Sequence, residues 1–281
     1  MRHRDPADLE RSIDELFSLS DDLLPADAET IFGELRQRLA SGGLRAAEPG
    51  SHGWLVHAWV QRGILLGFRL GRIEDFSTDS RAKFFDKNTL PLRHFEIVDG
   101  VRIAPGGSSI RDGAYVAGGV VCMPPTYINI GAHVGQQTLI DSHVLVGACA
   151  QVGEHVHLGC GSLLANALDP RGELPVIVED GAYLAGPCSV RGGVLLKKEV
   201  VLAPGVCLSR GMAVYDLVNG VVHRAEKGSF LAIPRGAVVV PGSRPAGGRL
   251  ARREELERYV PLVAHYRDPG EDGERALERA L

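Results

Sequence analysis

At 281 residues and 44% hydrophobic content, the chain can bury a core of its own without disulfide or metal staples. Its formal net charge of −4 provides no broad cationic field, which argues against nucleic acid or an anionic membrane as a partner. No run approaches the roughly 18 apolar residues of a membrane span, and the opening MRHRDPADLE has no apolar segment behind its basic residues, so a cytoplasmic protein is expected.

The first hundred residues read as a helical domain, 1–100. DLERSIDELFSL and DAETIFGELRQRLASGG both space their apolar residues at three and four, and the second stops at Gly42 and Gly43. A third apolar segment, WLVHAWVQRGILLGFRL, carries Trp54 and Trp59 and is expected to pack between this helical cap and the domain C-terminal to it.

From Ile110 the pattern changes to a period of six: Ile110, Val116, Cys122, Ile128, Val134, Ile140, Val146, Val152, Leu158 and Leu164 are all apolar. Four places after each stands a mostly small or β-branched residue, such as Ala114, Val120, Thr126 and Ala132, with glycine and small polar residues crowding the positions between. The register breaks at DPRGELP and resumes at Val178, Leu184, Val190, Leu196, Leu202, Leu208 and Val214. Six matches neither the helix period nor strand alternation. It fits a chain that runs one short strand, turns and repeats, with three strands closing a coil of about 18 residues and like residues stacking inside. The expected fold is mainly β, a parallel β-helix over 101–241 with an N-terminal α-helical domain.

An excursion, YDLVNGVVHRAEKGSFLAIP, interrupts the coils at 215–232, with Asn219-Gly220 as a hairpin signal. The hexad returns briefly in IPRGAVVVPG, after which 242–281 reads as a polar tail, mobile or helical at the surface from Pro269. The five cysteines, Cys122, Cys149, Cys160, Cys188 and Cys207, form no CxxC pair and are expected to be reduced, buried thiols.

The stretch CMPPTYINIGAHVGQQTLIDSHVLVGACAQVGEHVHL resembles the core signature of the tetrahydrodipicolinate N-succinyltransferases, enzymes of lysine biosynthesis by the diaminopimelate route. The likeness extends through KFFDKN, VRIAPGGSSIRDGAYVA, VIVEDGAYLAG and VYDLVNGVVHRAEKGS. The resemblance implies a left-handed hexapeptide-repeat β-helix, a homotrimer with sites between neighbouring subunits, and an acyl-CoA whose acyl group passes to an amine. Handedness comes from the resemblance alone, since general crossover preference runs the other way.

Two matching positions carry over. Arg102, in GVRIAP, stands where the family has an arginine contacting an acceptor carboxylate, a task suited to a bidentate fork. Asp141, in LIDSH, matches the family's active-site aspartate, which contacts the acceptor and can help take a proton from its amine. Other positions depart from the pattern. Where the family reads GARSEVVEG this chain has AGPCSVRGG, putting Pro187 for an arginine and Ser189 for the glutamate thought to be catalytic. His143 replaces a tryptophan, Ala213 replaces an arginine, and CGSLLANALDP replaces a glycine-rich run, which puts Leu163, Leu164 and Asn166 at bare backbone of the family's pocket.

These changes imply two expectations. Fewer cations suit a shorter, uncharged acyl group, so acetyl-CoA competes with succinyl-CoA as donor. Histidine is the residue type best suited to exchange a proton near neutral pH, so His143 is a candidate general base beside Asp141. The acceptor contacts are then Arg102, Asp141, Asn166 and Ser189, and the CoA contacts are backbone at Gly205 with Arg210 and Arg235. A rewritten copy also suits a branch pathway that builds a lysine-related antimetabolite such as tabtoxin.

Two rival classes compete with this reading. Hexapeptide prisms also host zinc carbonic anhydrases, but the spacings of His133, His143, His155 and His157 do not match that arrangement, so no metal is expected. A non-catalytic scaffold is favoured by Ser189 and opposed by Arg102 and Asp141.

Overall fold

The computed structural model describes residues 4–78, 83–166, 168 and 174–280. Its helices come first: α1, Pro6–Ser18; α2, Ala28–Ala40; and α3, Ala58–Leu70. Asp5 starts α1 by accepting the Asp8 backbone N–H at 2.8 Å, with Pro6 as the first helical residue. Leu9, Ile13, Phe32, Leu35, Trp59 and Ile64 bury one shared face, each worth roughly 1.5–3 kcal/mol of removal from water. Trp59 therefore packs in the cap core. Trp54 lies outside that core, in the antiparallel pair Ala47–Gly50 and Gly53–Val56, where its indole N–H donates to Glu179 at 2.8 Å.

From Arg102 the chain is a series of two- and three-residue strands that visit three parallel ladders in rotation. The first ladder starts at Arg102–Ile103, the second at Ser109–Ile110 and the third at Tyr115–Val116. From Ser109 to Leu164 ladder partners stand eighteen residues apart, as His133 and Gln151 do. The interval widens where Leu163 pairs with Ser189, across the DPRGELP break. That break falls largely on residues outside the described ones.

Every hexad-start residue read from the sequence is at most 4% exposed, and these residues form one continuous core. The fold is thus mainly β, with a few N-terminal helices and many short parallel strands, an arrangement consistent with a β-helix. Coil stacking leaves no room for side chains at some turns: a Cβ on Gly135 would lie 2.6 Å from the carbonyl of Gly153 on the next coil.

The outward side of the third ladder lies under the cap, where Ala47, Trp54 and Val56 pack on Ile177 and Leu195. Within it His133 stacks on Tyr115, with ring centroids 4.5 Å apart, and burial followed by the nearby Arg45 pushes its imidazole down to about 3.

The excursion forms the expected hairpin, Val214–Asp216 against Val221–His223, with Gly220 at φ 65°. Beyond Gly242 the chain is more tightly built than its composition suggests. Glu257–Tyr266 runs antiparallel to Ala237–Pro245 and parallel to Val214–Asp216, joining the first ladder. Helix α4, Arg249–Arg253, spans the turn between the long strands. The tail expected to be mobile or helical at the surface holds α5, Gly273–Glu278, whose Ala276 and Leu277 enter the main core.

The cysteines divide in two, against the expectation that all five are buried. Cys122, Cys149 and Cys188 are buried, which raises their thiols to about 11, 12 and 11. Cys160 and Cys207 are exposed. Cys207 immediately precedes an inward residue, Leu208, and so points out; Cys160 lies on a turn.

Candidate active site

Asp141 follows Ile140 at the corner where the chain leaves the first ladder for the second. Its backbone N–H donates to Leu158 at 2.9 Å, and its carboxylate accepts the Ser142 N–H at 2.7 Å. The rest of the side chain is half-buried and available. His143, on the same turn, is exposed and held at φ 61° while its N–H donates to Pro125 at 2.7 Å. Histidine is among the residues that tolerate this left-handed conformation, and here it turns the chain while presenting its ring to solvent.

Arg102 lies on the same ladder as Asp141. Only the strand Val121–Cys122 separates its row from Leu139–Ile140, a span of about 10 Å at ~4.8 Å per strand. Its guanidinium has no ion pair among the described residues. One ladder therefore carries a free cation, and its edge a carboxylate.

Further along that corner the next coils bring Cys160, Pro187 and Gly205, linked by Gly161 N–H to Ser142 O at 2.9 Å and Gly205 N–H to Pro187 O at 2.8 Å. Ser189 opens the adjoining strand of the second ladder directly opposite Leu163, which is 40% exposed. Asp141, His143, Ser189 and Gly205 thus share one edge of the coil stack.

The remaining sequence-predicted positions lie elsewhere. Asn166 follows the strand Leu163–Ala165 on the far side of the second ladder and faces the cap. Its Nδ2 donates to Ala148 O at 2.6 Å, while its buried Oδ1 has no partner among the described residues. Arg210 spends its guanidinium on carbonyls of the excursion, donating to Ser229 at 2.7 Å and Glu226 at 3.0 Å. Arg235 pairs with Glu199 at 2.9 Å on the corner between the third and first ladders. The positions expected to contact CoA, Gly205, Arg210 and Arg235, therefore occupy three different corners. Among the described residues, no group of three or more His, Cys, Asp or Glu side chains is placed to hold a metal.

Sequence reasoning missed His157. It pairs with Leu139 beside Asp141, and its ring meets Tyr183 edge-on with centroids 4.9 Å apart. Burial holds its imidazole below the ordinary value, and the charges of Asp141 and Glu274 partly oppose that shift. The available signal was parity: Leu139, His157 and Tyr183 each precede an inward hexad residue and so line one outer column. Glu274 comes from α5, whose Gly273 packs against Tyr183 and whose position no local pattern encodes.

Residues 8–70 match the family model described as Tetrahydrodipicolinate N-succinyltransferase N-terminal. The chain is 33% identical over 243 residues to the 2,3,4,5-tetrahydropyridine-2,6-dicarboxylate N-succinyltransferase of Polynucleobacter asymbioticus, a match covering 85% of this chain and 86% of that one. Proteins of the same name from Acinetobacter baylyi and Pectobacterium atrosepticum are each 34% identical, the first over 79% of this chain and 80% of its own, the second over 85% and 86%. With that identity sustained across cap and coils alike, the chain belongs to the tetrahydrodipicolinate N-succinyltransferase family of acyltransferases.

Proposed function

We propose that this chain is a CoA-dependent N-acyltransferase that acylates the amino group of tetrahydrodipicolinate or a related amino-dicarboxylic acid. It works as a cytoplasmic homotrimer of left-handed β-helices. Residues 1–100 form the cap, 101–241 the transfer domain and 242–281 the tail. The observation that carries the reading is the placement of Asp141 at an open corner, beside His143 and on the edge of the ladder that bears Arg102, which has no ion pair among the described residues.

In this reading Arg102 grips an acceptor carboxylate and Asp141 accepts a proton from the acceptor amine, with His143 as a second proton acceptor on the same turn. The amine nitrogen then attacks the thioester carbonyl, the new C–N bond replaces the C–S bond, and the CoA thiolate leaves and is protonated. Ser189 supplies a neutral donor to the acceptor, whereas Asn166, turned toward the cap with its amide spent on Ala148, takes no part. Gly205 offers bare backbone to the donor, since nothing lies within 4 Å of where its Cβ would be.

The relatives' name points to succinyl as the acyl group. One observation favours a second reading with acetyl: Leu163 projects from the second ladder opposite Ser189, where an apolar side chain suits a short neutral group better than a carboxylate. Incubating the protein with L-2-aminopimelate and each donor, and identifying the product by mass spectrometry, tests both readings. N-succinyl product supports the lysine pathway, N-acetyl product supports a branch pathway, and no adduct from either overturns the proposal.

A further inference from the structure

The outward column of the second ladder runs from Leu145 through Leu163 and Ser189 to Cys207, three strand steps or about 14 Å from the Asp141 corner. At its far end Tyr259 closes on the column, its hydroxyl accepting the Cys207 N–H at 2.8 Å and donating to Cys207 O at 3.1 Å. Beyond it opens a cleft of about 240 Å³ whose lining includes Tyr215, Arg224, Arg258, Tyr259 and Val260.

The charges of this cleft are unbalanced. Neither Arg224 nor Arg258 has a hydrogen-bond or ion-pair partner among the described residues. Arg258 also stands directly opposite Arg244 across the antiparallel strands, a juxtaposition that costs stability unless an anion lies between the two. Arg244 donates to the Tyr215 hydroxyl and lies 5.5 Å over its ring. Glu257, the adjacent acid on the strand, is engaged by the Ser243 hydroxyl. Arg210 and Arg235, the cations that sequence reading favours, are already paired elsewhere.

We propose that Arg224 and Arg258 form a binding site for phosphate groups, with Tyr215 and Tyr259 as its aromatic walls. Guanidinium forks match phosphate oxygens bidentately, and two arginines that line one cleft without a partner among the described residues gain most from a multiply charged anion. The nucleotide end of acyl-CoA is one source of such groups, an assignment that rests on the acyltransferase reading. A free phosphorylated metabolite is the other.

The test is calorimetric titration of the full chain with adenosine 3′,5′-bisphosphate, CoA and inorganic phosphate, on wild type and on the Arg224→Gln, Arg258→Gln double variant. The double variant should bind the bisphosphate at least about tenfold more weakly, about 1.4 kcal/mol, and should melt no lower than wild type because the Arg244–Arg258 repulsion is relieved. Competition by CoA, with a matching rise in KM for the acyl donor, identifies the donor's nucleotide end as the source. Bisphosphate or phosphate binding that depends on the two arginines but that CoA does not displace supports the site with a free metabolite as its ligand. Equal affinity in wild type and variant, or no binding of any probe to wild type, overturns the site whether or not the protein releases thiol. Arginine-dependent binding without any acyl transfer keeps the site and removes the acyltransferase reading.

Discussion

Leu163 and Ser189 face each other across adjacent parallel strands, so the outer surface next to the Asp141 corner is apolar on one coil and neutral on the next. Leu163→Gly restores bare backbone there. It should raise the ratio of succinyl-CoA to acetyl-CoA turnover by about tenfold, the scale on which a few methyl groups discriminate substrates. Parallel kcat/KM measurements with both donors check this, and an unchanged ratio would remove Leu163 from donor selection.

His133 supplies a pH dependence of stability. Its folded value is about 3 and an unfolded histidine titrates near 6.5, so the neutral ring belongs to the fold. Its contribution is complete above about 6.5 and is lost as pH falls from there toward about 3, at up to roughly 1.4 kcal/mol per pH unit. Melting curves between pH 7.5 and 5 should show a steeper fall for wild type than for His133→Phe, which keeps the stack on Tyr115. Parallel slopes would contradict it.

Asp216 anchors the excursion. Burial alone would raise its carboxyl, but the Tyr266 hydroxyl at 2.5 Å, Asn219 and His223 outweigh burial and hold it well below the usual carboxylate range. Tyr266 in turn is pushed up to about 12, by burial and then by that carboxylate. Because the folded value is depressed, this stabilisation is present above about 4 and is lost as pH falls further. Asp216→Asn should cost about 3 kcal/mol in chemical denaturation at pH 7, and a loss under ~0.5 kcal/mol would show that the network is dispensable.

Coil stacking gives a sharper structural expectation. Gly135→Ala forces a methyl into the Gly153 backbone at 2.6 Å and should lower the melting midpoint by more than 10 °C or prevent folding. Gly211→Ala, with open space around it, should leave the midpoint within about a degree. Equal effects would mean that the coils can slide apart.

The inward half of this fold was legible because its signal is strictly periodic. From Ile110 to Val214, residue type alone placed the core, and Asn219-Gly220 placed the hairpin. The outward half was less so, because polar and apolar residues both survive there. Cys207 was misread for ignoring parity, and His157 was passed over among four histidines. Glu257–Tyr266 was hidden by Pro261 and flanking charges, and its partners Ala237–Pro245 and Val214–Asp216 lie far off in sequence. The short strands Ile73–Asp75 and Phe85–Lys87 are too exposed to carry a burial pattern. For the proposed site, Arg102 and Asp141 were singled out through motif likeness, which says nothing about where a long side chain ends. Arg210 and Arg235 were drawn off by nearby carbonyl and carboxylate oxygens.

Thiol release from succinyl-CoA and acetyl-CoA in the presence of L-2-aminopimelate, compared between wild type and Asp141→Asn, bears most directly on the proposed chemistry. Wild type should release thiol only when the amine is present, and Asp141→Asn should reduce kcat by about 100-fold or more with an unchanged melting midpoint. Equal rates in the two proteins, or no thiol from either donor while CoA still binds, would contradict an acyltransferase centred on Asp141.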